Sequence, residues 1–490
     1  MHIKFGISIS ILNCSVANSW VNNRDHPALL RFYKSSKTTR HVCGRVARCS
    51  SDKGAQIMRK LLKSAIVAGI FGLWVSHSTI AEHEQIEHAA SEAYLVIGGA
   101  GSNCLADSDC INRFHPNIPM KRMAQQRQTL IFKTRDALDV LGTVDQQRDA
   151  GQDLDSERFM TLRSTFGTAH PMAGPVHIAG GDIGDTLKVT ILEINAGQYG
   201  YTFAGRSGFM SDLVEGGFVA VWKLTDRFAT SADIPGIQIP NGSFPGIVAT
   251  LPGKSDLEAI LTREQQLHDA GGTVFLPYPE DASPVALCGK DGGAANACLR
   301  TMPPREQGGN MDIRHLGEGV TVYLPCKVAG CGLMIGDLHY AQGDGEVSGT
   351  AIEMSADVTV TTEVIKGYSD LRTGPHYEGD ASVLQIPSKR FYAVTGLPLK
   401  TPGASYPNLH YLDSDVVGDL SNLSNDISLA ARNALDGMID HIVATYGYSR
   451  NQAYVIASVA VDLRITQLVD APNVGVTAIL PLDIFVEAPH

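Results

Sequence analysis

The feature that most constrains this chain is a two-residue rhythm of apolar and polar side chains, cut at short intervals by glycine. In GPVHIAGGDIGDTLKVTILEINAG (174–197), Val176, Ile178, Leu187, Val189 and Ile191 alternate with polar neighbours across a Gly-Asp turn. A strand turns successive side chains to opposite faces, so this rhythm predicts half-buried antiparallel strands. QTLIFKTRDA (128–137) and DVTVTTEVI (357–365) repeat it, and 235–253 is extended and punctuated by Pro and Gly. With 49 glycines and few long helical patterns, the chain is predicted to be mainly β.

Helical spacing is confined to the C-terminal part, 420–464. Ile427, Ala431, Leu435, Met438, Ile439 and Ile442 recur at that spacing, with Asp426 or Ser424 as the cap and Gly447 as the stop. A second helix follows, capped by Ser449, and GVTAILPLDIF closes the chain as a strand. Residues 82–126 read as an N-terminal loop-rich segment and 127–490 as the catalytic region. Within it, 255–308 looks like a loop-rich insertion.

The N-terminus carries a separate signal. Residues 58–81 place Arg59, Lys60 and Lys63 before an apolar run from Ser64 to Val75, with small residues Thr79 and Ala81 beyond. That is the three-part pattern of a secretory signal, and the run is short for a membrane span of ~20 residues. Residues 1–57 are then a leader or translated upstream sequence. Beyond residue 81 the chain holds 28 basic and 49 acidic residues, a charge of about −21. Such a chain repels nucleic acid and anionic membrane, and it suits a small ligand or a metal. Six of the nine cysteines lie beyond the signal as local pairs, Cys104/Cys110, Cys288/Cys298 and Cys326/Cys331. Local pairs in an exported chain point to three short disulfide loops, with zinc as the rival reading.

No Gly-x-Ser-x-Gly elbow and no phosphate-binding loop is present. Chemistry gathers in two stretches: QGGNMDIRHL (307–316), with Asn310, Asp312 and His315, and GDLHYAQGDGE (336–346). Asp337 and His339 are two apart, so on one strand they share a face and can reach one ion. Glu346 follows a Gly-Asp-Gly turn that folds it back, and Asp312 can come from the neighbouring segment. Asp344, between two glycines, reads equally as a turn residue. His315 beside Arg314 reads equally as a surface residue. Glu353, in TAIEM, faces a pocket or pairs with a cation.

These residues carry a resemblance. PREQGGNMDIRHL (304–316) and VYLPCKVAGCGLMIGDLHYAQGDGEVSGTAIEM (322–354) resemble the acetamidase/formamidase family, whose pattern runs Gly-Gly-Asn-x-Asp, then Gly-Asp-x-His-x-x-Gln-Gly-Asp-Gly-Glu, then Ala-Ile-Glu. FKTRDA (132–137), 170–194 and 462–481 support it in order. The resemblance implies a composite β-sandwich/barrel, a homo-oligomer, and hydrolysis of small aliphatic amides to carboxylate and ammonia. It implies a divalent metal at Asp312, Asp337 and His339, zinc first and calcium or another ion as alternatives. Glu346 is the expected base, Asn310 or Gln342 the donor to the oxyanion, and Glu353 a further polar residue of the pocket. His170, opening the HPMAGP turn, joins the pocket or serves the turn. Two departures stand out. Cys326 and Cys331 replace apolar residues, as a stiffening disulfide or as a thiol nucleophile, and the signal is unusual for a cytoplasmic family. A thiol amidase and a non-catalytic metal-binding protein therefore stand as the alternatives.

Overall fold

The computed structural model describes residues 94–486, apart from 152, 164–168, 206–207, 368–373, 402–403 and 470–471. The expected leader (1–57) and signal (58–81) lie outside the described residues. Two sheets carry the fold, one of 15 strands and one of three. The mainly β expectation with a smaller α+β part is met. The barrel is not: among the described residues the strand pairings branch and never return to an earlier strand, so the large sheet stays open.

Four neighbouring ladders of the large sheet position the site. The long strand Thr186–Ala204 pairs with Glu353–Ile365, which sets Glu353 beside Tyr201. Glu353–Ile365 pairs with Cys331–His339, which sets His339 beside Glu353. Cys331–His339 pairs with Phe244–Ala249, and that strand in turn pairs with the short edge strand Gly308–Asn310. Directly paired residues on one face have Cβ atoms ~5 Å apart, so this register alone draws residues from five strands into one row.

Cys331–His339 is buried along its whole length. Cβ branching and apolar bulk make such a strand hold, but Asp337 and His339 are polar and cannot be buried without compensation. The alternating apolar residues read from the sequence do form the core: Val176, Ile178, Leu187, Val189 and Ile191 are all buried. Residues 255–308 differ from the expected loops. The helix Lys254–Asp269 opens there, with the Asp256 side chain accepting from the Gly253 N–H.

The C-terminal helices form as read. Ile427–Tyr446 starts at Asp426, whose carboxylate accepts from Leu429 N at 2.7 Å, and stops at Gly447 in the left-handed conformation. Arg450–Ala460 starts with a reciprocal box between Ser449 and Gln452. From Ala453 to Ala460 it is buried, and it braces the loop that follows Cys331–His339. Gly343 N donates to Ser458 O at 2.8 Å, Ser348 N donates to Ser458 Oγ at 3.0 Å, and Tyr454 Oη donates to Val347 O. A Cβ on Gly343 would sit 2.2 Å from Val461 O, so only glycine lets the loop lie this close to the helix.

All three expected disulfides are present: Cys104–Cys110, Cys288–Cys298 and Cys326–Cys331. Among the described residues, no helix is long and apolar enough to cross a membrane.

Candidate active site

The central strand ends in Asp337 and His339, and the two side chains converge. His339 Nε2 lies 3.5 Å from Asp337 Oδ2 and 3.2 Å from Glu353 Oε2. Neither approach has hydrogen-bond geometry, and both ring nitrogens of His339 lack a partner. Phe244 meets the imidazole edge-on at 5.0 Å and fixes its plane. Asp312, from the segment after the edge strand, brings a carboxylate oxygen within 4.8 Å of Asp337 and His339. Glu346 and Glu353 close a second group around the same His339.

The backbone is bent to do this. Asp312, Asp337, Glu346 and His170 all have φ between 44° and 54°. Left-handed φ at a non-glycine residue costs on the order of 1–3 kcal/mol and survives only where the surroundings enforce it. Four such residues in one place mark a site that the fold holds under strain. Asp337 and His339, read from the sequence as same-face partners, do come together. That reading does not foresee that Asp337 leaves regular strand conformation.

Two amides hold Asp312. Asn310 Nδ2 donates to Asp312 Oδ2 at 2.8 Å, and Gln342 Nε2 donates to the Asp312 carbonyl at 2.9 Å. Glu353 Oε1 accepts from Ala351 N at 2.9 Å. Among the atoms around the centre that remain buried and without a hydrogen-bond partner are Asn310 Oδ1, Asp312 Oδ1, both ring nitrogens of His339, Gln342 Oε1 and Glu353 Oε2. Four carboxylates face one imidazole. Burial and the Asp337 charge push the Asp312 carboxyl up to about 7. Burial and the Asp312 charge raise Glu346, and burial raises Glu353 against the pull of His339. Burial works against charge on His339, but Glu353 and Asp337 outweigh it and raise the ring well above its usual value. The chain alone can satisfy this centre only by holding protons among its carboxylates. Hard oxygens, one imidazole, excess negative charge and unpartnered acceptors are the donor set of a divalent cation, so the residues fit such an ion.

A cavity of about 1310 Å³ opens onto the centre, lined by Asn310, Asp337, Glu346, Glu353, His170 and Tyr201 among others. Gln342 and His315 line a different cavity, beside Arg314 and Asp462. Asn310 therefore faces the space a substrate would occupy, and Gln342 acts through Asp312. Asp344 is half-exposed in its turn, outside both carboxylate groups.

The sequence reading missed three positions. Gly246 sits in the register gap between Pro245↔Leu338 and Ile247↔Gly336, opposite Asp337. A Cβ there would lie 2.6 Å from Asp312 Oδ1 and 2.7 Å from Asp337 Oδ2. Tyr201 is fully buried and donates to Asp136 Oδ1 at 2.9 Å, and Asp136 also accepts from the backbone N–H of Val140 and Leu141. Only the Pro-Gly pair inside 235–253 hinted at Gly246. Nothing local marked Tyr201, and Asp136 appeared only as part of the stretch FKTRDA, with no role given to it.

A family model described as "Acetamidase/Formamidase family" matches residues 100–487. The chain belongs to the acetamidase/formamidase family. The formamidase of Methylophilus methylotrophus is 29% identical over 394 residues, 77% of this chain and 90% of that protein. The acetamidase of Mycolicibacterium smegmatis is 29% identical over 379 residues, 70% of this chain and 84% of that protein. Among solved structures, a gamma lactamase from Delftia acidovorans matches with a TM-score of 0.66 at 28% identity, over 78% of this chain and 90% of that one. The acetamidase/formamidase motifs at Gly308–Asn310 and 336–346 are thus the stretches that the sheet register draws together.

Proposed function

We propose that this protein is a hydrolase that cleaves the C–N bond of small aliphatic amides, releasing carboxylate and ammonia, with a divalent metal held by Asp312, Asp337 and His339. The formamidase and acetamidase relatives support the reaction. The observation that carries the site is the cluster of buried, unpartnered polar atoms at the floor of the cavity.

When bound, such a cation would polarise the amide carbonyl and lower the pKa of a nearby water. The chain's own residues supply the rest. Glu346 lines the cavity next to Asp337 and Glu353 and takes the proton from the attacking water, then gives it to the departing nitrogen. Asn310, with one N–H committed to Asp312, offers the other to the oxygen of the tetrahedral intermediate. Gln342 keeps Asp312 in place. Glu353, tied to Ala351 N, orients His339 from the next strand. His170 stands at the cavity wall.

Among the described residues every cysteine is in a disulfide, which weighs against the thiol route. Cys326 and Cys331 are bonded to each other, and Cys331 lies six residues before Asp337, ~20 Å away at the rise of a strand. The signal-type segment at 58–81 supports export, and family membership supports a homo-oligomer.

The test is ammonia release from formamide and acetamide, and amino-acid formation from a γ-lactam, by the purified protein, beside Glu346→Gln. The proposal expects turnover of at least one amide and a loss of about 10²–10⁴-fold in kcat for the variant. Stoichiometric metal without turnover of any amide would identify a binding protein instead.

A further inference from the structure

The cavity is far larger than formamide or acetamide requires. Pockets that enclose drug-sized ligands span ~300–1000 Å³, and this one is about 1310 Å³. Away from the carboxylates its wall turns apolar: Leu138, Met160, Phe203, Phe218, Val219 and Met302 line it. They come from separate parts of the chain. Met160 belongs to the helix Ser156–Arg163, Phe203 to the long strand, and Phe218 and Val219 to its partner Phe218–Leu224. Met302 follows the Cys288–Cys298 loop, inside the stretch 255–308 that reads as an insertion.

The register fixes how this wall meets the chemistry. Glu353 pairs with Tyr201, and Phe203 is two residues further along the same face. The apolar wall thus begins ~7 Å from the carboxylates. Phe159, Tyr201 and Phe203 brace one another, with ring centroids 4.6, 5.7 and 5.3 Å apart. Met160 is 47% exposed, so its thioether is open to an apolar group entering the cavity.

We propose that this cavity is an acyl subsite, and that the preferred substrate is a primary amide whose acyl group is an extended alkyl or aryl-alkyl chain. The inference rests on the amidase reading of the carboxylate centre. Water adds to the carbonyl carbon, the C–N bond breaks, the acyl chain departs as its carboxylate, and the nitrogen leaves with both of the water's protons, as ammonium.

The experiment measures kcat/KM for formamide, acetamide, butanamide, hexanamide and phenylacetamide, on the wild type, Met302→Ala and Met160→Ala. Each buried methylene is expected to raise kcat/KM about threefold to fourfold, on the order of a hundredfold from acetamide to hexanamide. Both variants are expected to lose at least fivefold on hexanamide through KM and to keep acetamide turnover within twofold. Either variant suffices if the other fails to fold. A kcat/KM that stays level or falls as the acyl chain lengthens from acetamide to hexanamide overturns the subsite and leaves the amidase reading intact. No turnover of any amide in the series overturns that reading and the subsite with it.

Discussion

Gly246→Ala tests whether the paired aspartates are the reaction centre. The substitution adds one methyl group in a strand and changes no charge. The new Cβ would sit 2.6 Å from Asp312 Oδ1, 2.7 Å from Asp337 Oδ2 and 2.9 Å from the Asp337 carbonyl. Ordinary contact begins near 3.4 Å, so both carboxylate oxygens must retreat by about 0.7–0.8 Å. They cannot retreat freely. Asp312 is tied to Asn310 and Gln342, and both aspartates hold left-handed backbone. A misplacement of ~1 Å in a reacting constellation costs about 10²-fold in rate, and the same shift pulls ligands off a metal. The expected result is a loss of about 10²-fold in ammonia release, with metal content below half of wild type. Stability should fall by only about 1–3 kcal/mol, the range for a tolerated overpacking. The assay pairs initial rates on acetamide with elemental analysis and urea denaturation on one preparation. Activity within threefold of wild type, with full metal content, would refute the claim that these oxygens do the work.

Other outcomes follow from single contacts. Tyr201→Phe should cost about 1–3 kcal/mol in urea denaturation, because it leaves the buried Asp136 carboxylate without its hydroxyl donor. The double variant Cys326→Ala/Cys331→Ala should lose about 2 kcal/mol of stability and keep kcat within twofold, and loss of activity with native stability would revive the thiol route. Asp185 governs part of the acid limb of stability: the Lys366 hydrogen bond holds its carboxyl below the usual range, with Gly367 N helping. The unfolded chain therefore takes the proton first as pH falls, so this stabilisation is present above about pH 4 and lost below it. Asp185→Asn should flatten the drop in urea midpoint between pH 4.5 and pH 2.5; an unchanged slope would show that the pair contributes nothing.

What the sequence made legible was local. Caps at Asp426 and Ser449 and the stop at Gly447 are signalled within four residues of the helix ends, and all three form. Alternation named core residues such as Leu187 and Ile191, because one buried face forces it. The helix Lys254–Asp269 was missed because only Leu257 and Ile260 are buried along its sixteen residues, too few for an apolar stripe. Asp337 and His339 were legible through their spacing, and Glu346 and Glu353 through motif. Gly246 and Tyr201 were not, since each matters through a neighbour far away in sequence. The strain at Asp312, Asp337 and Glu346 was equally hidden: a side chain can be read from the sequence, but a φ enforced by packing cannot.

The central claim is that one buried centre of Asp312, Asp337 and His339 holds a divalent cation needed for amide hydrolysis. Elemental analysis of the purified protein and of Asp337→Ala, with ammonia release measured on the same samples, tests it most directly. About one equivalent of a divalent metal per chain in the wild type is predicted, with metal and ammonia release lost together in the variant. Wild-type rates of ammonia release from a metal-free Asp337→Ala protein would contradict it.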